Sequence, residues 1–384
     1  MFYEKQSKEE QEAYKKILSQ IGLMSNLFSD SLKPALYYRA HENAFCKYFK
    51  ADNLARHDCS ADAKKGDIGI GLKTWVGSNN QKVAEFGKLK KELDPLEGLE
   101  LVKKVSEFRN SRIITTMNMY GIKEMVYHVV IREDRKMELW EGDFPLIDIK
   151  NIHLIPQRGG KNTVYFTDGK HTYDFNKAKT TLYMVFDDME KMDEFPVEIM
   201  DDPFEMMMNI GAQQVGDTQY AGSNFESKKP RYRELALKLY TMHKGVPMVE
   251  RKSGLNQWNA AGRKRHPDEV YIPFNKKDRE RPANKGFFPP RDQPFDLRLP
   301  DGKYISAKVC QSDGKAIMSN PNKLLGKWLL RDVLGLEEWT LITYDMLQEK
   351  GFDTVLFTKY DESHYAIDFT ESDVYNKLYN IDEE

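Results

Sequence analysis

The sequence predicts an α+β fold with two domains. Two amphipathic helix patterns open the chain, and alternating apolar residues between Ser60 and Trp75 indicate a strand. Two further strand patterns flank the Asp168-Gly169 pair, a hairpin-turn signal. With 384 residues, 40% of them hydrophobic, the chain is long enough for two or three packed domains. We expect an α/β domain at 1–225 and a second domain at 253–384, joined by a linker or helix at 226–252.

Charge is distributed unevenly along a chain whose net charge is only −2. Lys and Arg against Asp and Glu number 31 and 36 at 1–227, 24 and 10 at 228–331, and 3 and 14 at 332–384. A segment at +14 (24 minus 10) indicates a polyanion partner, because each neutralised phosphate contributes through counterion release. The alternative is a basic surface that faces the acidic tail. Composition shifts to Gly, Asn, Ser and Lys between Gln213 and Lys229, where we place the domain boundary.

The start of the chain and its cysteines indicate a compartment. Met1 to Lys8 carries charge and lacks an apolar core, so no secretory signal is expected. No segment approaches the roughly 20 apolar residues of a membrane span. The three cysteines, Cys46, Cys59 and Cys310, are odd in number and lack metal-ligand spacing. We therefore expect a reduced, cytoplasmic protein with neither disulfides nor structural zinc, and with no membrane partner.

Local patterns predict the elements of the N-terminal half. Ser7 and Glu10 form a capping-box pattern that opens the first helix. A second helix is predicted over residues 36–49, and a polar third helix over residues 79–92. One or two strands are expected within residues 112–132.

A candidate catalytic site centres on the strand between Ser60 and Trp75. Asp62 precedes this strand and Lys73 lies near its end, while Glu42 and Glu85 lie on the predicted flanking helices. Metal-dependent phosphodiesterases need carboxylate oxygens to hold Mg²⁺ and an ammonium group to orient water or neutralise the phosphate. We therefore predict catalytic Asp62, Lys73, Glu42 and Glu85, with Mg²⁺ held by Asp62 and by either Glu42 or Glu85. The alternatives to Asp62 are Asp58 and Asp67.

The same segment resembles the PD-(D/E)xK nuclease core of many restriction endonucleases. That pattern has an acidic residue two positions before the lysine, and here the position is Gly71. Some members of the superfamily supply the missing carboxylate from the next helix. Glu85, which follows Lys73 by twelve residues, stands where such a replacement would come from.

The last third of the chain mixes amides, indoles and guanidinium groups, the chemistry that contacts base edges and phosphates. This region closely resembles the DNA-recognition domain of the BfiI and NgoAVII type of restriction endonuclease, which implies a mostly β pseudobarrel of the plant B3 type. The resemblance rests on Ser253 to Asn259, Glu269 to Pro273, Lys315 to Asn322 and Gly326 to Leu330.

In that family two protruding arms embrace the DNA and reach into its major groove. By position, the arms here are the segments 257–265 and 311–322, and we expect Trp258 and Trp328 to brace them rather than to stack on bases. Arginine suits guanine and amide side chains suit adenine. The predicted DNA-binding residues are Gln257, Asn259, Arg263, Lys264, Arg265, Gln311, Lys315, Ser319, Asn320 and Asn322.

Two relatives of this domain carry a phospholipase D-type nuclease, which needs a His-x-Lys motif. None of the eight histidines here is followed by Lys two positions later, which favours metal-dependent chemistry. The leading hypothesis is a type II restriction endonuclease, a hydrolase that recognises a DNA sequence and cleaves double-stranded DNA with Mg²⁺. A cognate DNA methyltransferase encoded nearby and a homodimer are the expected partners besides DNA.

Two other functions remain open on the sequence. One is a sequence-specific DNA-binding protein without catalysis, which the glycine at position 71 favours. The other is a modification-dependent nuclease, which cuts methylated DNA.

Overall fold

A computed structural model describes residues 1–55, 59–156, 162–208 and 232–381. The chain forms two compact units. Among the described residues, the N-terminal unit holds 1–55, 61–106 and 123–208, and the C-terminal unit holds 59–60, 107–122 and 232–381.

The N-terminal unit is built on a six-stranded sheet. Its order is β1-β2-β3-β5-β6-β11, in which β3 and β5 are parallel and the other pairs are antiparallel. Apolar side chains of two helices cover one face of this sheet, where they form a core cluster with Ile70, Leu72 and Val130 of the strands. The strands of the sheet are β1 (Asp52–Asn53), β2 (Ala63–Lys65), β3 (Ile68–Trp75), β5 (Glu124–Glu133), β6 (Lys136–Asp143) and β11 (Met189–Pro196).

The first two helices confirm the sequence prediction. Helix α1 (Lys8–Leu23) begins with the predicted capping box: the Ser7 hydroxyl accepts from the Glu10 backbone N–H, and the Glu10 carboxylate accepts from the Ser7 backbone N–H. Helix α2 (Tyr38–Tyr48) lies inside the predicted range. The strand predicted between Ser60 and Trp75 is also confirmed as β3, and the first part of that segment forms the separate short strand β2.

The polar helix predicted over residues 79–92 is wrong for its first half. Residues Asn80–Glu85 form β4, which pairs with β10 (Thr181–Val185) at the edge of a second sheet, and helix is confined to the 3₁₀ turn Gly87–Leu89 and the short α3 (Lys90–Leu93). Pairing with a neighbouring strand supplies hydrogen bonds that local helix propensity does not anticipate. The predicted hairpin around Asp168-Gly169 is confirmed. The second sheet has the order β4-β10-β9-β8-β7 and contains β7 (His153–Leu154), β8 (Thr163–Thr167), β9 (Thr172–Asn176) and β10 (Thr181–Val185).

The strands expected within residues 112–132 are only partly correct. Residues Gly98–Tyr120 form α4, the longest helix among the described residues, and β5 begins only at Glu124. The β-branched run from Ile113 to Thr116 suggests a strand, but packing along α4 overrides that preference. Tyr120 at the end of α4 belongs to the C-terminal unit, where its hydroxyl donates to Asp368 at 2.6 Å.

The C-terminal unit is a nearly closed barrel-like sheet. Its seven strands have the order β12-β19-β20-β16-β17-β18-β15, and the first and last strands of that order also touch each other. Aromatic rings of Phe288, Phe295, Phe357 and Tyr365 meet inside the unit. The strands are β12 (Arg233–Lys238), β15 (Ile272–Pro273), β16 (Pro294–Arg298), β17 (Tyr304–Cys310), β18 (Ala316–Ser319), β19 (Thr354–Lys359) and β20 (His364–Thr370).

The linker or helix predicted for residues 226–252 is not what the structure forms over residues 232–252. β12 runs through it as an integral strand of the barrel, because Leu235, Ala236 and Leu237 are buried between β19 and the core. A hairpin of β13 (Thr241–His243) and β14 (Val246–Met248) follows. The remaining helices of this unit are the 3₁₀ helices Gly254–Asn259, Pro282–Asn284 and Ser312–Gly314, α5 (Lys276–Glu280), α6 (Leu324–Gly326) with the π helix Lys327–Val333, α7 (Tyr344–Lys350) and α8 (Ser372–Leu378).

Candidate functional site

The β2–β3 pair places Asp62 beside the strand that carries Lys73. The Asp62 backbone N–H donates to the Ile70 carbonyl at 2.9 Å, and its carboxylate accepts from the Leu72 backbone N–H at 2.7 Å. Because side chains alternate along a strand, Lys73 and the residue at position 71 project from the same face of β3. Asp62 is therefore held in place by the neighbouring strand rather than left in a loose turn.

Glu42 reaches the same region from α2. Its side chain is only 8% exposed, and its carboxylate forms an ion pair with Arg39 at 2.8 Å. Burial raises the pKa of the Glu42 carboxyl, and the neighbouring Asp62 charge raises it further. The hydrogen bond from Arg39 and the positive charges of Arg39 and Lys73 oppose this shift of the pKa. Glu42, Asp62 and Lys73 thus lie within electrostatic reach of one another.

A buried polar network fixes the helix that carries Glu42. His41 Nε2 and the Tyr14 hydroxyl are joined by a hydrogen bond of 2.8 Å, and the same hydroxyl lies 3.2 Å from His128 Nε2. His128 Nδ1 is in turn hydrogen-bonded to Glu141 at 2.9 Å. Burial, together with the nearby His128, holds the pKa of His41 well below its ordinary value. His41 is therefore a neutral hydrogen-bonding group, which ties α2 to α1 through the Tyr14 hydroxyl.

Gly71 occupies the position where the PD-(D/E)xK pattern has an acid. A Cβ atom added there would lie 2.6 Å from Phe144 and 2.8 Å from Tyr127. These two rings stack on each other with centroids 4.1 Å apart. The space next to Lys73 on this face is thus filled by aromatic side chains, and a carboxylate for the site must come from elsewhere.

Glu85 does not join this group. It ends β4 in the second sheet, where its carboxylate is 58% exposed and lies 3.0 Å from Lys82 Nζ. Asp67 precedes β3 at the end opposite to Lys73, roughly 20 Å away along the strand. It pairs there with Lys123 at 3.1 Å. Asp58 lies outside the described residues. Of the predicted carboxylates, Glu42 and Asp62 are the two that the structure brings together.

The donor set at Glu42 and Asp62 suits a hard cation. Mg²⁺ is typically held by one or two carboxylates and completes its shell with water and phosphate oxygens. Burial chiefly, and the Asp62 charge in addition, raise the pKa of the Glu42 carboxyl, and a bound cation would oppose both effects. In the part of the chain that the structure describes, no cluster of three or more His, Cys, Asp or Glu side chains is preformed for a metal.

The first predicted DNA-binding arm is a loop that follows the 3₁₀ helix Gly254–Asn259. Arg265 is folded back into the loop, where its Nη1 donates to the carbonyls of Ala260 and Ala261. Arg263 pairs with the buried carboxylate of Glu269. Lys264 is exposed and has no partner among the described side chains. The two arginines therefore stabilise the conformation of the arm through contacts within the protein. Gln257 and Asn259 are half-buried and exposed respectively, and the Asn259 amide donates to the Arg251 carbonyl at 2.8 Å.

The segment 311–322 is not a single arm. It consists of a turn that includes Gln311 and Lys315, then β18, then a second turn that contains Asn320 and Asn322. The two turns lie at opposite ends of β18, about 10 Å apart along the strand. The second turn is at the end near the first arm, because β15 runs antiparallel to β18 and follows that arm in the chain. Lys315, Asn320 and Asn322 are all exposed.

Gln311 shows backbone strain that is unusual for its residue type. Its φ of 65° and ψ of 174° belong to a region that glycine adopts readily and other residues rarely. Asp313, two residues further on, also has a positive φ of 58°. Strained backbone of this kind clusters at binding sites, which favours a role for this turn in ligand contact.

Ser319 is not available for DNA contact. It is 1% exposed, and its hydroxyl accepts a hydrogen bond from the Leu325 backbone N–H at 2.9 Å. This serine therefore caps the start of α6 from inside the unit. The expectation that Trp328 is structural is confirmed, because its indole is 5% exposed and contacts Phe369.

Gly326 explains part of the sequence string on which the B3 resemblance rests. A Cβ atom at this position would lie 2.0 Å from the Asp268 carbonyl oxygen. Glycine therefore lets α6 approach the backbone where the first arm rejoins the sheet. The close packing fixes the base of that arm.

Residues 231–361 match the family described as the NgoFVII C-terminal B3-like DNA-binding domain. The match lies in the C-terminal unit and agrees with its nearly closed barrel-like sheet. It supports sequence-specific DNA binding in a restriction-enzyme context, as the resemblance of the last third predicted. The PD-(D/E)xK assignment of the N-terminal half stays a prediction. A comparison with curated proteins found no match. None of the described helices has the length and apolar character needed to cross a membrane.

Three residues with a clear role at these sites were not found from the sequence. Arg39 lies three positions before Glu42, a spacing that brings side chains together on a helix and could have revealed the pair. Asn256 and Arg331 hold loops of the C-terminal unit through hydrogen bonds to distant residues, Asn256 to the Ile342 carbonyl and Arg331 to Asp268. Nothing in the local sequence indicates such long-range partners.

Proposed function

We propose that this protein is a type II restriction endonuclease that binds a DNA sequence through its C-terminal unit and hydrolyses double-stranded DNA with Mg²⁺ in its N-terminal unit. The observation that carries the proposal is that Glu42 lies within electrostatic reach of both Asp62 and Lys73, in a chain whose C-terminal unit matches a restriction-enzyme DNA-binding domain. Carboxylates that hold a cation and an ammonium that neutralises the phosphate are groups that metal-assisted phosphodiester hydrolysis uses.

In the proposed reaction, Asp62 and Glu42 bind the cation and Lys73 faces the scissile phosphate. Bound Mg²⁺ would supply positive charge for the phosphate and a more acidic water. The Lys73 ammonium donates hydrogen bonds to a phosphate oxygen or to the attacking water, so it orients the nucleophile for in-line attack. Arg39 keeps the Glu42 carboxylate oriented through their ion pair.

Incubation of the purified protein with unmethylated phage DNA, in Mg²⁺ or in EDTA, tests the proposal. Discrete fragments that depend on Mg²⁺ are the expected result, because a specific domain would direct a metal-dependent cut. Fragments in both conditions would contradict the role of the metal. Parallel incubation with methylated phage DNA separates this function from a modification-dependent nuclease, which would cut only the methylated substrate.

One structural observation favours a second candidate, a sequence-specific DNA-binding protein without catalysis. The acidic position of the nuclease pattern is closed by Tyr127 and Phe144, which leaves two carboxylates in the N-terminal unit's candidate site. Intact DNA under all conditions, together with a specific shift of DNA mobility on a gel, would support this candidate instead.

A further inference from the structure

A loop of the C-terminal unit, residues 336–342, is clamped at both ends. At its start, Arg331 Nη1 donates to the Leu336 carbonyl at 2.8 Å. At its end, the buried Asn256 amide makes two hydrogen bonds of 2.9 Å with the backbone of Ile342, one to its carbonyl and one from its N–H. We call this segment the Trp339 loop, after the residue at its tip. Such clamping holds the tip in one position without support from regular secondary structure.

The clamps also tie the loop to the first arm. Arg331 Nε donates to Asp268 at 2.8 Å, and Asp268 lies where the arm returns to the sheet. Asn256 belongs to the 3₁₀ helix that leads into the arm. The Trp339 loop is therefore attached to the beginning and to the end of the arm at 257–265.

The indole at the tip is exposed and its backbone is strained. Trp339 has 53% of its surface exposed and a φ of 69°, a left-handed conformation that bulky residues rarely adopt. Its ring meets Trp258 of the 3₁₀ helix edge to face, with centroids 5.7 Å apart. A strained, exposed tryptophan on a clamped loop is costly for folding alone, and such features concentrate at binding sites.

The charge around the tip indicates which part of DNA it would contact. Glu337 and Glu338 precede Trp339 and are both exposed. Carboxylates repel phosphates but accept hydrogen bonds from cytosine N4, and an apolar ring suits the thymine methyl group. A contact with base edges therefore fits this tip, and a contact with the phosphate backbone does not.

We propose that the tip of the Trp339 loop is a third base-reading element, which enters a groove of the bound duplex beside the first arm. The inference rests on the proposed sequence-specific DNA binding, and it assigns to Trp339 part of the specificity of that binding. Trp258 packs edge to face against the indole of Trp339 and supports it, in keeping with the structural role expected for Trp258.

The test measures affinity and its salt dependence for the full-length protein in EDTA. The unaltered protein first enriches duplexes from a random-sequence pool, and an enriched duplex and its scrambled form then serve as probes in fluorescence anisotropy. Trp339→Ala is expected to weaken binding of the enriched duplex about 10-fold, because each good base contact contributes that order of discrimination. Its affinity for the scrambled duplex and its salt slope should not change, because base contacts release no counterions.

Two further variants keep the outcome interpretable. Trp339→Phe retains an aromatic ring and should lose less affinity than Trp339→Ala, which also guards against misfolding of the alanine variant. Tyr360→Ala removes another exposed ring from an edge-to-face pair, Tyr232 with Tyr360, at the far end of the sheet, and should bind as the unaltered protein does.

Two results would overturn the inference while leaving the proposed function intact. Trp339→Ala could bind both duplexes with unaltered affinity, or it could lose affinity equally for both with a reduced salt slope. The second result would mean that the indole only braces the arm. Failure of the unaltered protein to enrich any sequence is a different outcome, which would refute sequence-specific binding and the inference with it.

Discussion

Single side chains decide whether the N-terminal unit can bind a cation. Glu42 is buried, forms an ion pair with Arg39 at 2.8 Å, and lies within electrostatic reach of Asp62 and Lys73. The acid expected two residues before Lys73 is replaced by Gly71, which two aromatic rings cover. In the proposed site the second carboxylate therefore comes from α2, which precedes the strand, rather than from a helix after it.

The ammonium of Lys73 is expected to be essential for cleavage and dispensable for DNA binding. Lys73→Ala should reduce the cleavage rate by roughly 10²-fold or more, because a preorganised positive charge at the phosphate is removed. The rate of phage DNA cleavage and the affinity for DNA in EDTA are the measurements. Lys82→Ala, an exposed lysine in the second sheet, is the matched control. Retained cleavage by Lys73→Ala would remove this residue from the mechanism.

The two candidate glutamates can be separated by a pair of isosteric variants. Glu42→Gln should abolish Mg²⁺-dependent cleavage, because a buried metal ligand loses its charge. Glu85→Gln should cleave as the unaltered protein does, since its exposed carboxylate faces Lys82. Titration of cleavage with Mg²⁺ gives the comparison. Loss of cleavage in Glu85→Gln alone would reverse this assignment.

At the scale of elements, the first arm is shaped by its own arginines. Arg265 bonds to carbonyls of the loop that contains it, and Arg263 is paired with Glu269. The π helix and α6 pack against the base of this arm through Gly326. The arm is therefore organised before DNA binds, which lowers the entropy that binding must overcome.

Lys264 and Arg265, two neighbouring cations of the first arm, are expected to have different effects on DNA binding and on thermal stability. Lys264→Gln should lower the salt slope of DNA binding by about 1 without changing the melting temperature, because one phosphate contact is lost. Arg265→Gln should lower the melting temperature as well, because the loop loses its internal hydrogen bonds. Anisotropy at several salt concentrations and thermal unfolding measure both effects. An unchanged melting temperature with a reduced slope for Arg265→Gln would place that guanidinium on the phosphate backbone.

Across the whole molecule, the net charge of −2 conceals a strongly basic segment, most of which lies in the C-terminal unit. The segment 228–331 carries +14, and most of it lies in the part that matches the B3-like domain. Counterion release depends on the charge near the bound phosphates rather than on the net charge of the chain. The distribution of charge along the chain is therefore the better guide to its partner.

Binding of duplex DNA by the full-length protein should be strongly salt-dependent despite that net charge. Several phosphate contacts would cost roughly 10³-fold in affinity between about 50 mM and 200 mM KCl. Anisotropy titrations in EDTA, with a scrambled duplex, give the slope directly. A flat dependence would indicate that the basic segment faces the protein's own acidic residues.

The sequence by itself determined the elements and surfaces that depend on local patterns. Neighbouring residues alone predict four features: the capping box of α1, strand β3, the hairpin at Asp168-Gly169 and the basic B3-like segment. The position of Asp62 beside the strand that carries Lys73 could be predicted for the same reason, because a single turn connects β2, which follows Asp62, to β3. Helix caps and turns depend on residues within a few positions of one another, so the sequence alone contains everything needed to predict them.

Only the tertiary structure decided which distant groups meet. In the structure, residue 85 lies on an edge strand of the second sheet, Ser319 is buried beneath α6, and Arg265 hydrogen-bonds to carbonyls of its own loop. Asn256 also clamps the Trp339 loop to the first arm. The positions of residue 85 and of the Trp339 loop depend on strand pairing and hydrogen bonds whose partners lie tens of residues away. The partners of Ser319 and Arg265 are nearby in the chain, but the packing of the whole unit decides whether these side chains are buried or turned inward.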